Sequence, residues 1–113
     1  MDTLRSNNKW YCSLLIFSGR PNPLWFPKES IVEQLLSFAE CAPISNTSFE
    51  LPSILGYRGV VLVSKAISIT AFKGLLYITR GNETETRIDL NQAFEKLILN
   101  NLPAKYKHLP FGE

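Results

Sequence analysis

Residues 60–88 run VVLVSKAISITAFKGLLYITRGNETETRI. Valine, isoleucine, threonine and aromatic residues dominate, the types that suit a pleated, half-buried surface. The spacing predicts strands near Val60–Ser64 and Ile67–Arg80. The second is long, and Gly74 marks a bulge or bend in it. Gly81-Asn82 makes a tight hairpin turn. Glu83–Ile88 alternates charged residues with Thr and Ile, as an exposed or edge strand does. Three consecutive strands imply antiparallel pairing.

Upstream, the apolar run Trp10–Phe17 predicts another strand. Cys12, Leu14 and Ile16 share one face and Tyr11, Leu15 and Phe17 the other, so the strand is an interior one. Pro21 and Pro23 fix their own φ and push Arg20 and Asn22 into extended conformations, which makes Gly19–Pro23 a stiff loop. A helix follows over Pro27–Cys41, with Ile31, Leu35 and Phe38 beside Val32, Leu36 and Ala39 as its apolar stripe. Its start has two readings: Pro27 in the first turn, or Ser30-Ile31-Val32-Glu33 as a capping box. Ala42–Gly56 is a polar, proline-punctuated crossing. A last helix spans Leu90–Asn100, with Asp89 as N-cap, Gln92 three residues on, and Leu90, Phe94, Leu97 and Ile98 as the buried face.

The expected order is therefore β-α-β-β-β-α. It predicts an α+β two-layer sandwich: a mainly antiparallel sheet of about four strands with two helices on one face. One domain is expected, with residues 10–102 as core and 103–113 as tail. At 113 residues and 45% hydrophobic content the chain can bury one core without staples.

Charge and composition exclude several function classes. A net charge of +2 is too weak an excess to imply a nucleic-acid partner. The basic-aromatic tail pattern of Lys105, Tyr106, Lys107, His108 and Phe111 reads as a solvated or docked tail rather than a single-strand binder. No apolar run reaches the roughly 20 residues of a membrane span. Trp10–Phe17 lacks the flanks of a signal peptide, which leaves a cytoplasmic location with reduced Cys12 and Cys41.

Cofactor and metal chemistry find no support either. One His and two separated Cys cannot make a zinc site. Neither phosphate-binding glycine motif is present, and no cofactor is expected. Cys12 in an apolar strand is an inert thiol, and Cys41 at a helix C-terminus faces a dipole that disfavours the thiolate. No catalytic residue emerges. Glu29, Glu33 and Glu40 lie on the solvent side of the first helix.

Two motifs remain: Ser18-Gly19-Arg20-Pro21-Asn22-Pro23-Leu24-Trp25 and Leu55-Gly56-Tyr57-Arg58-Gly59. Together they resemble a small bacterial family whose members carry S-G-R-P-N-P-x-W near the start and L-G-Y-R-G mid-chain. Such proteins also open a late helix with an acidic residue before an E-x-W-L-L-like core. Asp89 and Glu95-Lys96-Leu97-Ile98-Leu99 are similar, with Leu97 at the Trp position. The resemblance runs from Leu14 to Leu99. The family has no known activity, so the resemblance implies no substrate or catalytic group.

The same two loops supply the candidate site. Arg20 and Arg58 each sit in a Gly-flanked, conformationally restricted loop, and a guanidinium grips carboxylate or phosphate at two points. Asn22 adds an amide, and Trp25 and Tyr57 add aromatic walls. The expected function is a non-enzymatic binding module recognising a small anionic ligand at this corner. The structural alternative is equally concrete. Arg20 would bond loop carbonyls, Trp25 would plug the strand–helix gap, and Arg58 would pair with Glu50 or stack on Tyr57. Another protein is the second kind of partner, pairing at the Glu83–Ile88 edge or on the face of Ile67–Arg80; a small enzyme is a further alternative.

Strand direction separates these cases. A second strand parallel to the first would put Arg20 and Arg58 at opposite edges of the sheet. An antiparallel one brings both loops to one edge. The length of the Ala42–Gly56 crossing favours the antiparallel case.

Overall fold

The computed structural model describes residues 9–16, 21–48 and 57–107. The chain is α+β, with two helices and a six-stranded sheet. The strands are β1 (Tyr11–Leu14), β2 (Leu24–Trp25), β3 (Val60–Val63), β4 (Ile67–Phe72), β5 (Leu75–Arg80) and β6 (Glu83–Ile88). The helices are α1 (Glu29–Cys41) and α2 (Ala93–Asn100). Short 3-10 turns occupy Leu90–Gln92 and Ala104–Tyr106. Sheet order is β2-β1-β3-β4-β5-β6, with every neighbouring pair antiparallel.

Six strands replace the expected four, for two local reasons. The long strand over Ile67–Arg80 is a hairpin, with Phe72 opposite Leu75. Lys73 and Gly74 turn the chain with φ of 51° and 85°, the doubly left-handed pair that matches strand twist. Gly74 is thus a turn, not a bulge. The second reason lies in the proline loop. Pro23 has no N–H to give, but its carbonyl accepts from the Leu14 N–H at 3.3 Å and the Ser13 hydroxyl at 2.7 Å. Leu24–Trp25 then folds back onto β1, with Cys12 opposite Trp25. The observed order is β-β-α-β-β-β-β-α.

The pleat sorts side chains into two sets. Cys12, Leu14, Val60, Leu62, Ile67, Ile69, Ala71, Leu76 and Ile78 join one buried cluster with Val32, Leu35, Leu36 and Ala39 of α1 and Phe94 and Ile98 of α2. That alternation is what the apolar runs encode.

Helix ends depart from expectation. Lys28 stands at the N-cap of α1 without a side-chain bond. Ser30 and Glu33 already lie inside the helix, so no capping box forms. At the far end Arg87 of β6 supplies what the last turn lacks. Its Nη1 donates to the carbonyls of Ala39 (3.3 Å), Glu40 (3.2 Å) and Ala42 (3.0 Å), while its Nε donates to Glu85 Oε2 at 3.0 Å. A cation on a helix's orphan carbonyls complements the dipole as well as the hydrogen bonds.

The last helix starts later than expected. Asn91 and Gln92 both have φ of 56°, which breaks the helical register after Asp89. Leu90 therefore swings outward and is 55% exposed instead of buried. Phe94 and Ile98 are buried as expected.

Gly59 leads into β3 with φ of +115°, and a Cβ there would lie 2.5 Å from the Ala71 carbonyl oxygen. Backbone cannot yield as a flexible side chain would. Gly59→Ala should destabilise by about 2 kcal/mol or more. Gly74→Ala, where nothing lies within 4 Å, should cost only about 1 kcal/mol. Denaturant melts of the two variants check the difference; equal costs would contradict the close approach.

Candidate functional site

The antiparallel β1–β3 register places Leu14 opposite Val60. The end of β1 and the start of β3 therefore meet at one end of the sheet. Beyond the paired strands the contact continues: Leu15 N–H donates to Gly59 O at 3.0 Å, and Arg58 N–H donates to Leu15 O at 2.8 Å. Ile16 N–H donates to Asn22 Oδ1 at 2.9 Å. The Arg58 backbone and the Asn22 side chain thus lodge on consecutive residues, Leu15 and Ile16 respectively.

The other predicted residues behave differently. Arg20 lies outside the described residues, as do Glu50 and His108. Trp25 sits across from Cys12, and its ring centroid is 5.9 Å from that of Tyr106. It packs against the core beside the docked start of the tail. Tyr57 packs edge-on against Phe72, centroids 5.9 Å apart, and its hydroxyl donates to Glu95 Oε2. Asn22, Tyr57 and Arg58 all have further partners.

Glu95 is the residue that sequence reading passed over as a site. It is 7% exposed and Asp89 is 4% exposed. Both belong to the turn that begins α2. The Asp89 carboxylate accepts from the Phe94 N–H (2.9 Å, Oδ1) and the Glu95 N–H (3.1 Å, Oδ2). It caps the helix from three positions before the formal N-cap, because the left-handed pair Asn91–Gln92 folds it back. The signal available was position: Glu95 lies three residues before Ile98 and next to Phe94, on the buried stripe.

Burial raises the pKa of both carboxyls above the ordinary carboxylate range. For Asp89, the two N–H donors and the Lys96 charge oppose that rise. For Glu95, the Tyr57 hydroxyl and the Lys73 backbone N–H oppose it, while Asp89's negative charge adds to it. Burial, then the Glu95 bond and charge, push the Tyr57 phenol upward too. Glu95 Oε1 is buried without a well-formed hydrogen bond.

Asp89 also lines an apolar cavity of about 220 Å³ with Phe38, Cys41, Ala42, Leu90, Asn91 and Ala93. Phe38 (38%) and Leu90 (55%) are strongly exposed there. Ile44, 68% exposed, follows close in the chain after the lining residue Ala42. The Cys41 thiol is exposed, whereas Cys12 is buried and its pKa is pushed up to about 12, which keeps it inert.

Among the described residues no three His, Cys, Asp or Glu side chains group to hold a metal ion. No described helix is long and apolar enough to cross a membrane. Comparison with protein families, curated proteins and solved structures finds no match to this chain.

The raised carboxyl pKa values fix the sign of a pH effect. The folded state holds these protons more tightly than the unfolded chain does. Their contribution to stability is therefore full at acid pH and is lost as pH rises through the folded-state values, above the ordinary 3.8 and 4.5. Denaturant melts from about pH 4 to about pH 8 should show a decline that is shallower in Glu95→Gln. Equal slopes in the two proteins would contradict the assignment.

Proposed function

We propose that this domain is a protein-interaction module whose docking feature is the cavity between the C-terminal end of α1 and the 89–93 turn. One observation carries the reading: Phe38 and Leu90, two large apolar side chains, stand exposed at the lining of one apolar hollow. Single exposed apolar residues are ordinary, but several gathered at a pocket mark contact surfaces. Interfaces concentrate binding energy where an anchor side chain enters a desolvated pocket. At about 220 Å³ the hollow is small beside the roughly 300–1,000 Å³ of typical small-molecule sites. One aliphatic or aromatic side chain suits it better than a cofactor. The reading assumes two layers, with both helices on one face of the sheet; the single cluster shared by α1, α2 and one strand face supports that arrangement.

Partner-strand addition has less room. The outer rim of β6 is already engaged: Ser45 N–H donates to Thr86 O, Ile88 N–H donates to Pro43 O, and Ile44 bridges to Arg87. The opposite edge, β2, is two residues long, and the Tyr106 hydroxyl reaches its Leu24 carbonyl at 3.4 Å.

A second reading keeps the anion-recognising corner. Its support is the lodging of Asn22 and Arg58 on adjacent residues of one strand end. Against it stand Tyr57's commitment to Glu95 and the carboxyl groups of Glu95 and Asp89, which would repel an anion when ionised.

Selection from a displayed peptide library tests the first reading. Enriched peptides should carry one aliphatic or aromatic anchor and lose binding to Leu90→Asp. They should retain binding to Leu24→Asp, which alters another exposed apolar residue. No enrichment, or equal loss in both variants, would overturn it. Amide shifts at Asn22 and Arg58 on titration with inorganic phosphate would favour the corner instead.

A further inference from the structure

The wall of the cavity and the cap of α2 are one piece of chain. Asp89, Leu90, Asn91 and Ala93 line the hollow, and Asp89 holds the first N–H groups of α2. Three further ties fix the segment: Asp89 N–H donates to Gly74 O (2.8 Å), Gln92 N–H donates to Asp89 O (2.8 Å), and Tyr57 donates to Glu95. Against these ties work two left-handed non-glycine residues, Asn91 and Gln92, and two carboxyl groups buried on one turn. The turn is thus strained and charge-loaded at the site where the cavity takes its shape.

Resting on the docking role of that cavity, we propose that the 89–95 turn is a proton-operated latch: it is closed while Glu95 carries a proton and opens when Glu95 is ionised beside Asp89. Among the described residues the groups facing Glu95 are few. Tyr57, ahead of β3, and the Lys73 backbone N–H, in the β4–β5 turn, favour its charged form, while Asp89 opposes that form. The Lys73 ammonium lies over the Phe72 ring, 5.4 Å from its centroid. Lys96 acts on Asp89. Across the cavity α1 contributes Phe38 and the Cys41 thiol. No described Lys, Arg or His makes an ion pair with Glu95, so losing its proton leaves a second negative charge in a dry site. Opening at Asn91–Gln92 relieves both the repulsion and the left-handed backbone, and it admits water to Asp89.

The Phe94 and Glu95 amides report the latch directly, because the Asp89 carboxylate is their acceptor. Native-state hydrogen exchange at a series of pH values from about pH 5 to about pH 8, corrected for intrinsic rates, should show their protection falling by about tenfold or more. The Ile69 amide in β4, which opens only with the whole fold, should lose no more protection than the fall in global stability accounts for. In Glu95→Gln the two turn amides should lose no more protection than Ile69 does. Should that variant fail to fold, Tyr57→Phe serves instead. It removes a donor that favours the charged carboxylate, so the opening should move to higher pH. Protection independent of pH in the unaltered protein, an equal fall in Glu95→Gln, or an unmoved midpoint in Tyr57→Phe would each overturn the latch. No peptide enters this experiment, so failure of the docking reading shows in the peptide selection and failure of the latch shows here.

Discussion

Burying Glu95 in the same turn as Asp89 is the constraint around which the lower end of this domain is built. A carboxylate taken from water must find donors, keep its proton or destabilise its surroundings. Here each group finds part of what it needs. Asp89 takes two helix N–H groups, and Glu95 takes the Tyr57 hydroxyl. In doing so they tie four parts of the chain together: the lead-in to β3, the β4–β5 turn, the end of β6 and the start of α2. Those ties position Leu90 and Asn91 on the wall of the apolar hollow.

Arg87 performs the matching task for α1. The helix has no basic residue in its last turn, and of the three carbonyls that Arg87 reaches, Ala39 O also accepts from the Ala42 N–H at 3.4 Å. The guanidinium reaches three of them from β6 while the neighbouring segment Pro43–Ser45 pairs along the same strand. One side chain thus sets where α1 stops relative to the sheet, and the paired segment blunts an edge that could template aggregation. The same arrangement leaves the β6 edge engaged by Pro43–Ser45, and the proposed docking hollow lies beside it.

Much of this was legible in the residues. The α+β class, α1, the β3 strand, the Gly81-Asn82 hairpin and β6 follow from periodicity and turn chemistry, and the antiparallel β1–β3 pairing follows from the length of the crossing. Lys73-Gly74 was harder, because apolar residues on both sides keep an unbroken strand pattern through it. A doubly left-handed two-residue turn leaves almost no trace in hydropathy. Pro23 hid β2 for a different reason: its carbonyl, not its missing N–H, makes the pairing. Leu90 misled because periodicity presumes a continuous helix, and the left-handed pair Asn91–Gln92 interrupts it. Glu95 escaped because a charged residue is read as solvated by default, even on a buried stripe. Of the predicted site, Asn22, Tyr57 and Arg58 gather at one sheet end, while Trp25 turns to Tyr106. Loop proximity follows from strand direction; the partner each side chain chooses depends on α2, far along the chain.

The central claim is that Tyr57 and Glu95 act as one unit inside the fold. A double-mutant cycle of Tyr57→Phe and Glu95→Gln, measured by denaturant unfolding, tests it most directly. The account predicts an interaction energy of about 1 kcal/mol or more between the two sites. Single-variant effects that add to within about 0.3–0.5 kcal/mol would contradict it.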